Sequence, residues 1–334
     1  MKKLFLLFIL LATGVSSHVC QAQASPAATN LTMFGRGLYP GDDATYDTLK
    51  RSGFTTIILS SFWIRSNGDV YSGDDNVNPI IHDGKFVGDR AWLKRVASLK
   101  KGKTSVTRIE FLLEGRWYNQ PPNTYDFILD WYNPSKTVAG IVTGTGVNST
   151  LYNIAKVLKE ELAVDAVCID DESVYDSESI IQLGKMFGQL DLHMTLCPFR
   201  NYDYWKRIAD GSEKGLIDAV YVQCYDGGRN NNPGVWARNL ETNIPVYPIF
   251  LCRGSFSTCT SADRHNARNP AEILSDMTRF KKDYADLKGG AIWQMADVKS
   301  YIKSNCAVEY PESGTATSVT QYLSQLKESL RSAL

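Results

Sequence analysis

Apolar runs recur along the chain at strand length, with stretches of helical period between them. Strands are expected at Thr32–Gly35, Thr55–Ser60, Thr107–Leu113, Asp165–Asp170, His193–Pro198, Ala219–Tyr225, Val246–Cys252 and Ala291–Met295. Apolar residues at three- and four-residue spacing predict helices over Asp89–Lys101, Thr150–Leu162, Ser177–Leu190, Tyr202–Gly215, Pro270–Leu287 and Ser318–Leu330. Strands and helices in alternation mark parallel βαβ units, and eight such units close most naturally into an α/β (β/α)8 barrel, the TIM-barrel architecture. The alternative, an open doubly wound sheet, usually carries a glycine-rich phosphate-binding turn. Here Gly35-Arg36-Gly37 runs into Tyr39-Pro40, and Gly144-Thr145-Gly146 lacks the third glycine.

Two stretches interrupt the alternation. Ser66–Asp89 carries Gly68, Gly73, Gly84 and Gly88 among Asp and Asn, and Glu114–Gly140 carries Trp117, Tyr118, Tyr125, Trp131 and Tyr132. Both follow strands, so both belong at the C-terminal mouth of a barrel, where barrel enzymes place their sites. The aromatics there suit stacking on sugar rings and suit a small loop core about equally well.

The ends and the composition narrow the class. Lys2 and Lys3, an apolar run from Leu4 to Ala12 and Ala22-Gln23-Ala24 read as a signal peptide over residues 1–24. Residues 25–334 then form a single barrel domain in a secreted, periplasmic or cell-surface protein. The apolar run is too short to span a bilayer, and no later segment is apolar enough. Thirty-six basic residues balance 36 acidic ones, which removes the electrostatic footprint of a nucleic-acid binder and leaves a glycan as the easier partner. Of seven cysteines, Cys20 leaves with the signal. Cys252 and Cys259 share one loop and are expected to pair; Cys168, Cys197 and Cys224 sit in apolar runs and are expected to stay buried thiols. His82, His193 and His265 show no ligand spacing, so no metal or cofactor is expected.

The fourth strand carries the chemistry. In Val164-Asp165-Ala166-Val167-Cys168-Ile169-Asp170-Asp171-Glu172, alternation sends Cys168, Asp170 and Glu172 to one face and Val167 and Ile169 to the other. With the apolar pair packed outward on helices, Asp170 and Glu172 point into the mouth. Two enclosed carboxylates about 6 to 7 Å apart push each other's ionisation apart, so one stays protonated as an acid near neutral pH. Asp171, Asp176 and Glu178 suit the N-terminus of the next helix instead. Strand seven ends in Cys252-Arg253 and offers no second carboxylate across a sugar, which favours the glycosidase mechanism in which the substrate's own 2-acetamido group is the nucleophile.

These residues resemble glycoside hydrolase family 18, the chitinases and endo-β-N-acetylglucosaminidases. That family's fourth strand reads Asp-Gly-x-Asp-x-Asp-x-Glu; the outer Asp, last Asp and Glu match Asp165, Asp170 and Glu172, while Ala166 and Cys168 depart from it. The resemblance implies Glu172 as proton donor, Asp170 as the group that orients the acetamide, and Tyr225 of Gln223-Cys224-Tyr225-Asp226 as its hydrogen-bond partner. It places Trp293 under the acetyl group and brings Gln223, Asp226, Phe62 and Trp117 to the substrate. The loss of the middle Asp at Cys168 implies weakened or absent activity unless Asp170 is tuned by another group.

The expected function is hydrolysis of β-1,4 bonds next to N-acetylglucosamine in a chitin-type polymer or an N-glycan core. A non-catalytic, lectin-like barrel of the same descent is the alternative, and a surface glycan-capture scaffold working through the aromatic insertion is a third. A serine hydrolase is disfavoured because no Gly-x-Ser-x-Gly elbow occurs.

Overall fold

The structure, a computed structural model, describes residues 29–115, 122–254, 259 and 265–334. Eight parallel strands form its centre: β1 (Asn30–Phe34), β2 (Thr56–Ile64), β6 (Arg108–Glu114), β7 (Ala166–Asp170), β8 (His193–Leu196), β9 (Ile217–Gln223), β10 (Val246–Leu251) and β11 (Gly289–Trp293). Each hydrogen-bonds to the next, and β1 pairs with both β11 and β2, so the eight strands close on themselves as a barrel. The expected closed barrel is therefore what forms, with every predicted strand within a few residues of its expected place. At the seam the chains approach so closely that a Cβ on Gly289 would lie 1.9 Å from the Asn30 carbonyl oxygen, which only glycine permits.

The predicted helices appear as α2 (Arg90–Ser98), α4 (Thr150–Glu160), α5 (Ser177–Gln189), α6 (Tyr202–Gly211), α8 (Pro270–Asp283) and α11 (Val319–Arg331). Four more escaped the periodicity: α1 (Asp43–Arg51), α3 (Thr124–Trp131), α7 (Pro233–Leu240) and α9 (Met295–Lys303). All are eight or nine residues long. So short a helix shows too few apolar repeats to stand out, and its caps define it better. The N-cap of α3 is a reciprocal box in which Asn123 accepts from the helix backbone and Asp126 accepts from the Asn123 N–H. A short α10 (Cys306–Glu309) follows α9. The first insertion is an antiparallel extension of β2 built from β3 (Val70–Ser72), β4 (Asp75–His82) and β5 (Lys85–Phe86).

Alternation along the strands creates two cores. Phe34, Ile58, Leu112, Cys168, Cys197, Tyr221 and Ile249 fill the barrel, while Ile57, Phe111, Val167 and Ile169 join the helices in a larger outer layer. The floor of the barrel is polar. Arg108 forks onto Asp218 with two 2.8 Å bonds and reaches Glu110 at 2.6 Å, and Glu110 also accepts from Thr195 and Tyr221. Asp165, the outer acid of the fourth-strand motif, belongs to this end: it accepts from the Ile109 N–H and pairs with Lys100.

The expected Cys252–Cys259 bridge is not formed. Cys259 is bonded to Cys306, with their Cα atoms 5.5 Å apart, whereas Cys252 is a buried free thiol. Cys252 continues β10, its N–H bonded to the Trp293 carbonyl and its side chain in the outer core, which turns it away from its sequence neighbour. Cys168, Cys197 and Cys224 are free and buried, as expected. The signal-peptide residues and Cys20 lie outside the described residues. Among those that are described, no helix is long and apolar enough to cross a membrane.

Candidate active site

The fourth barrel strand, β7, ends as its alternation requires. Val167 and Ile169 face the helices, Cys168 lies in the barrel interior, and Asp170 follows on the same inward face, 4% exposed. The Asp170 N–H donates at 2.7 Å to the Tyr125 hydroxyl, which in turn donates at 2.6 Å to the Leu113 carbonyl. Tyr125, 1% exposed, thus bridges the ends of β6 and β7 from the N-terminal turn of α3. Glu172 stands two residues beyond Asp170, half-buried at the mouth.

One amide joins the two acids. Gln223, at the end of β9, points its Nε2 at Glu172 Oε1 (3.0 Å), Asp170 Oδ1 (3.2 Å) and the Cys197 carbonyl (3.3 Å). An amide nitrogen has two hydrogens, so at most two of these oxygens are served well at a time. Burial pushes the Glu172 carboxyl up to about 7; the Gln223 hydrogen bond and Arg200 oppose the rise, and Glu114 and Asp226 add to it. Asp170 is also held well above the usual carboxylate range, first by burial and then by the charges of Glu172 and Glu114. Such a site offers a group protonated at neutral pH next to others that can carry charge, which is the requirement for acid catalysis of glycosidic cleavage.

Tyr225 and Trp293 converge on the same place. Both pack on the barrel interior, with the Trp293 ring 5.1 Å from Phe34 and 6.2 Å from a nearly parallel Tyr225. Burial raises the Tyr225 hydroxyl, with Asp170, Glu172 and Glu114 adding to the rise. Asp226 sits at the rim, its side chain 59% exposed and 3.4 Å from His265.

Phe62 is not brought to the site. Leu59 pairs with Phe111 and Phe62 with Leu113, so β2 advances three residues where β6 advances two. The extra residue reverses the alternation. Phe62 therefore faces the outer core and stacks on Phe111, with ring centroids 4.0 Å apart, instead of facing a substrate. Trp117 lies outside the described residues. In the second insertion Tyr125 and Trp131 are 1% exposed, which makes them the loop's own core. Asp171 serves the backbone, accepting from the N–H groups of Ser173, Val174 and Tyr175 and from the Tyr204 hydroxyl, and Asp176 caps α5.

Two residues at the mouth went unread in the sequence. Glu114 ends β6 directly beside Asp170, their Cα atoms paired in register. The strand's own alternation, Glu110 then Leu112 then Glu114 on the inward face, carried that signal. Arg200, in the loop after β8, reaches the Glu172 carbonyl at 3.3 Å and bonds to the Tyr175 hydroxyl at 2.8 Å. No local motif announces it.

The architecture is similar to that of solved chitinases and of a spore cortex-lytic enzyme. It is similar to the GH18 chitinase ChiB from the chitin utilization locus of Flavobacterium johnsoniae, at 11% identity over 90% of this chain and 94% of that one, with a TM-score of 0.52. A chitinase from Bacteroides thetaiotaomicron gives 12% identity, coverage of 91% and 97%, and a TM-score of 0.53. The Bacillus cereus spore cortex-lytic enzyme SleL gives 9%, coverage of 92% and 75%, and 0.53. No family model matches the sequence, and comparison with curated proteins gives no match. At these identities the likeness is one of fold alone, and function has to be argued from the site.

Proposed function

We propose that this protein is an exported glycosidase that cleaves the β-1,4 bond next to an N-acetylglucosamine unit, with Glu172 as the acid and the substrate's 2-acetamido group as the nucleophile. The observation that carries the reading is the Glu172 carboxyl, raised to about 7 and tied through one amide to a still more buried Asp170.

In the first step the acetamide oxygen attacks the anomeric carbon while the bond to the leaving oxygen breaks and Glu172 gives that oxygen its proton. Asp170, as a carboxylate, accepts the acetamide N–H and so stabilises the positive charge of the oxazolinium ring that forms. Tyr225 donates to the acetamide oxygen and holds it for attack, and Trp293 packs against the acetyl methyl. In the second step the Glu172 carboxylate takes a proton from water, which adds to the anomeric carbon on the face the leaving group vacated. The ring reopens, configuration is retained, and Glu172 is reprotonated. The bond between Cys259 and Cys306 supports an oxidising compartment and so agrees with a cleaved signal at residues 1–24.

The deciding experiment incubates wild type and Glu172→Gln with chitin oligomers and with a high-mannose glycoprotein. Oligosaccharide release by wild type, reduced about a hundred- to ten-thousand-fold in the variant, is the expected result. If neither protein cleaves either substrate while both bind chitin oligomers equally, the barrel is a lectin and the hydrolase reading fails.

A further inference from the structure

Cys168 lies in the barrel interior below Asp170, where the fourth-strand motif would otherwise supply a second acid to share its proton. The neighbouring strand supplies one instead. Glu114 pairs in register with Asp170, and adjacent strands run about 4.8 Å apart. Leu112 lies in the barrel interior, so Glu114, two residues on, projects to the same side as Asp170. The register cannot drift, because the Tyr125 hydroxyl is bonded to the Leu113 carbonyl and the Asp170 N–H together.

The charges around this pair are unbalanced. From the end of β7 and the turn after it come Asp170, Asp171 and Glu172, from beyond the end of β9 Tyr225 and the outlying Asp226, and among the described residues the cations near the cluster are Arg36 after β1 and Arg200 after β8. Arg200 is already engaged by Tyr175. Burial pushes the Glu114 carboxyl up, and the nearby Ser61 hydroxyl and Arg36 only partly offset it. Three carboxyls this enclosed do not all ionise near neutral pH.

We infer that Glu114 is a positioning residue that shares a proton with Asp170 across the β6–β7 pair, in place of the acid that Cys168 does not provide. Its part in turnover rests on the glycosidase reading, whereas the proton sharing does not. With the proton on Glu114, Asp170 is free as a carboxylate to accept the acetamide N–H. When Glu172 passes its own proton to the leaving oxygen, the three carboxyls go from one negative charge to two, and the shared proton keeps them from reaching three.

The test follows the side-chain carboxyl carbons of the folded protein, labelled with carbon-13 at Asp and Glu, by NMR between pH 4 and 9. In wild type, Glu114 and Asp170 should titrate in linked steps that no single midpoint fits. Glu114→Gln should lower the Asp170 midpoint by about one pH unit or more, because Asp170 then ionises with no second carboxyl beside it. An unchanged Asp170 midpoint overturns the inference. If the variant does not fold, the wild-type curves decide alone, and a single independent step for Glu114 overturns it. With chitin oligomers, the acid limb of kcat, which requires Asp170 as a carboxylate, should move down in Glu114→Gln with KM nearly constant, and Cys168→Asp in that background should move it back. Linked titration with an unmoved kcat limb would remove Glu114 from turnover. Linked titration in a protein that cleaves no acetamido glycan would sink the glycosidase reading and leave the proton sharing standing.

Discussion

Glu172 sits where its charge is disfavoured, so its proposed role and the stability of the fold pull in opposite directions. Its value in the folded protein, about 7, lies above the 4.5 of an unperturbed glutamate. The folded state therefore holds this proton more tightly than the unfolded chain, and stability is lost as pH rises from about 4.5 to about 7. Each tenfold change in proton affinity is worth about 1.36 kcal/mol, so the gap amounts to at most about 3 kcal/mol above pH 8 and under about 1 kcal/mol at pH 5. Glu172→Gln removes the ionisation but keeps an oxygen that can accept from Gln223. The variant should be more stable than wild type by about 3 kcal/mol at pH 8 and by about 1 kcal/mol or less at pH 5. Easier ionisation of Asp170 once the charge beside it is gone adds to the gain at pH 8. Urea unfolding at the two pH values, with slopes checked for equality, measures both differences. A gain that is the same at both pH values, or a loss at pH 8, would refute the reasoning.

Other expectations follow from single contacts. Hydrolysis of chitin oligomers should decline with a one-proton slope as pH rises through about 7, since Glu172 must arrive protonated; a rate still climbing at pH 8 would exclude it as the acid. Tyr125→Phe removes a hydroxyl that makes two short bonds and leaves the buried Asp170 N–H without an acceptor, so it should lower stability by about 2 to 4 kcal/mol in denaturant titrations. Cys306→Ser opens a bridge spanning 47 residues of sequence, worth up to about 4 kcal/mol by loop entropy, and should make the unfolding midpoint insensitive to reductant, unlike wild type. Asp171→Ala strips the acceptor from three backbone N–H groups and the Tyr204 hydroxyl and should cost about 3 to 5 kcal/mol, which thermal or urea unfolding would read directly.

What could be read from the sequence was set by how locally each feature is encoded. Strand alternation is a two-residue signal, so the inward face of Cys168 and Asp170 is legible in the sequence, as is the barrel from its repeated strands. Phe62 shows the limit of that rule, because one extra residue in β2, fixed only by pairing with β6, turns every later side chain over. The cysteine pairing failed for a similar reason: Cys252 and Cys259 are close along the chain, but Cys306 is the one the fold carries to Cys259. Glu114 was available to alternation on its own strand, yet its meaning depends on the Asp170 beside it on another. Arg200 reaches Glu172 through a loop, and no periodicity describes a loop.

Gln223 has fewer hydrogens than oxygens to satisfy, and this makes it more than a strut. Its bonds to Asp170 and Glu172 compete, so a ligand group that takes over Asp170 releases the amide to serve Glu172 more fully, and the acidity of Glu172 changes with occupancy. The linkage is reciprocal. The proton on Glu172 must then alter affinity for the ligand by the same factor as the ligand alters affinity for the proton. An occupant of this mouth is felt as a change in proton uptake or release, so calorimetric titrations in buffers of different ionisation enthalpy near pH 7 should give different heats for the same binding event.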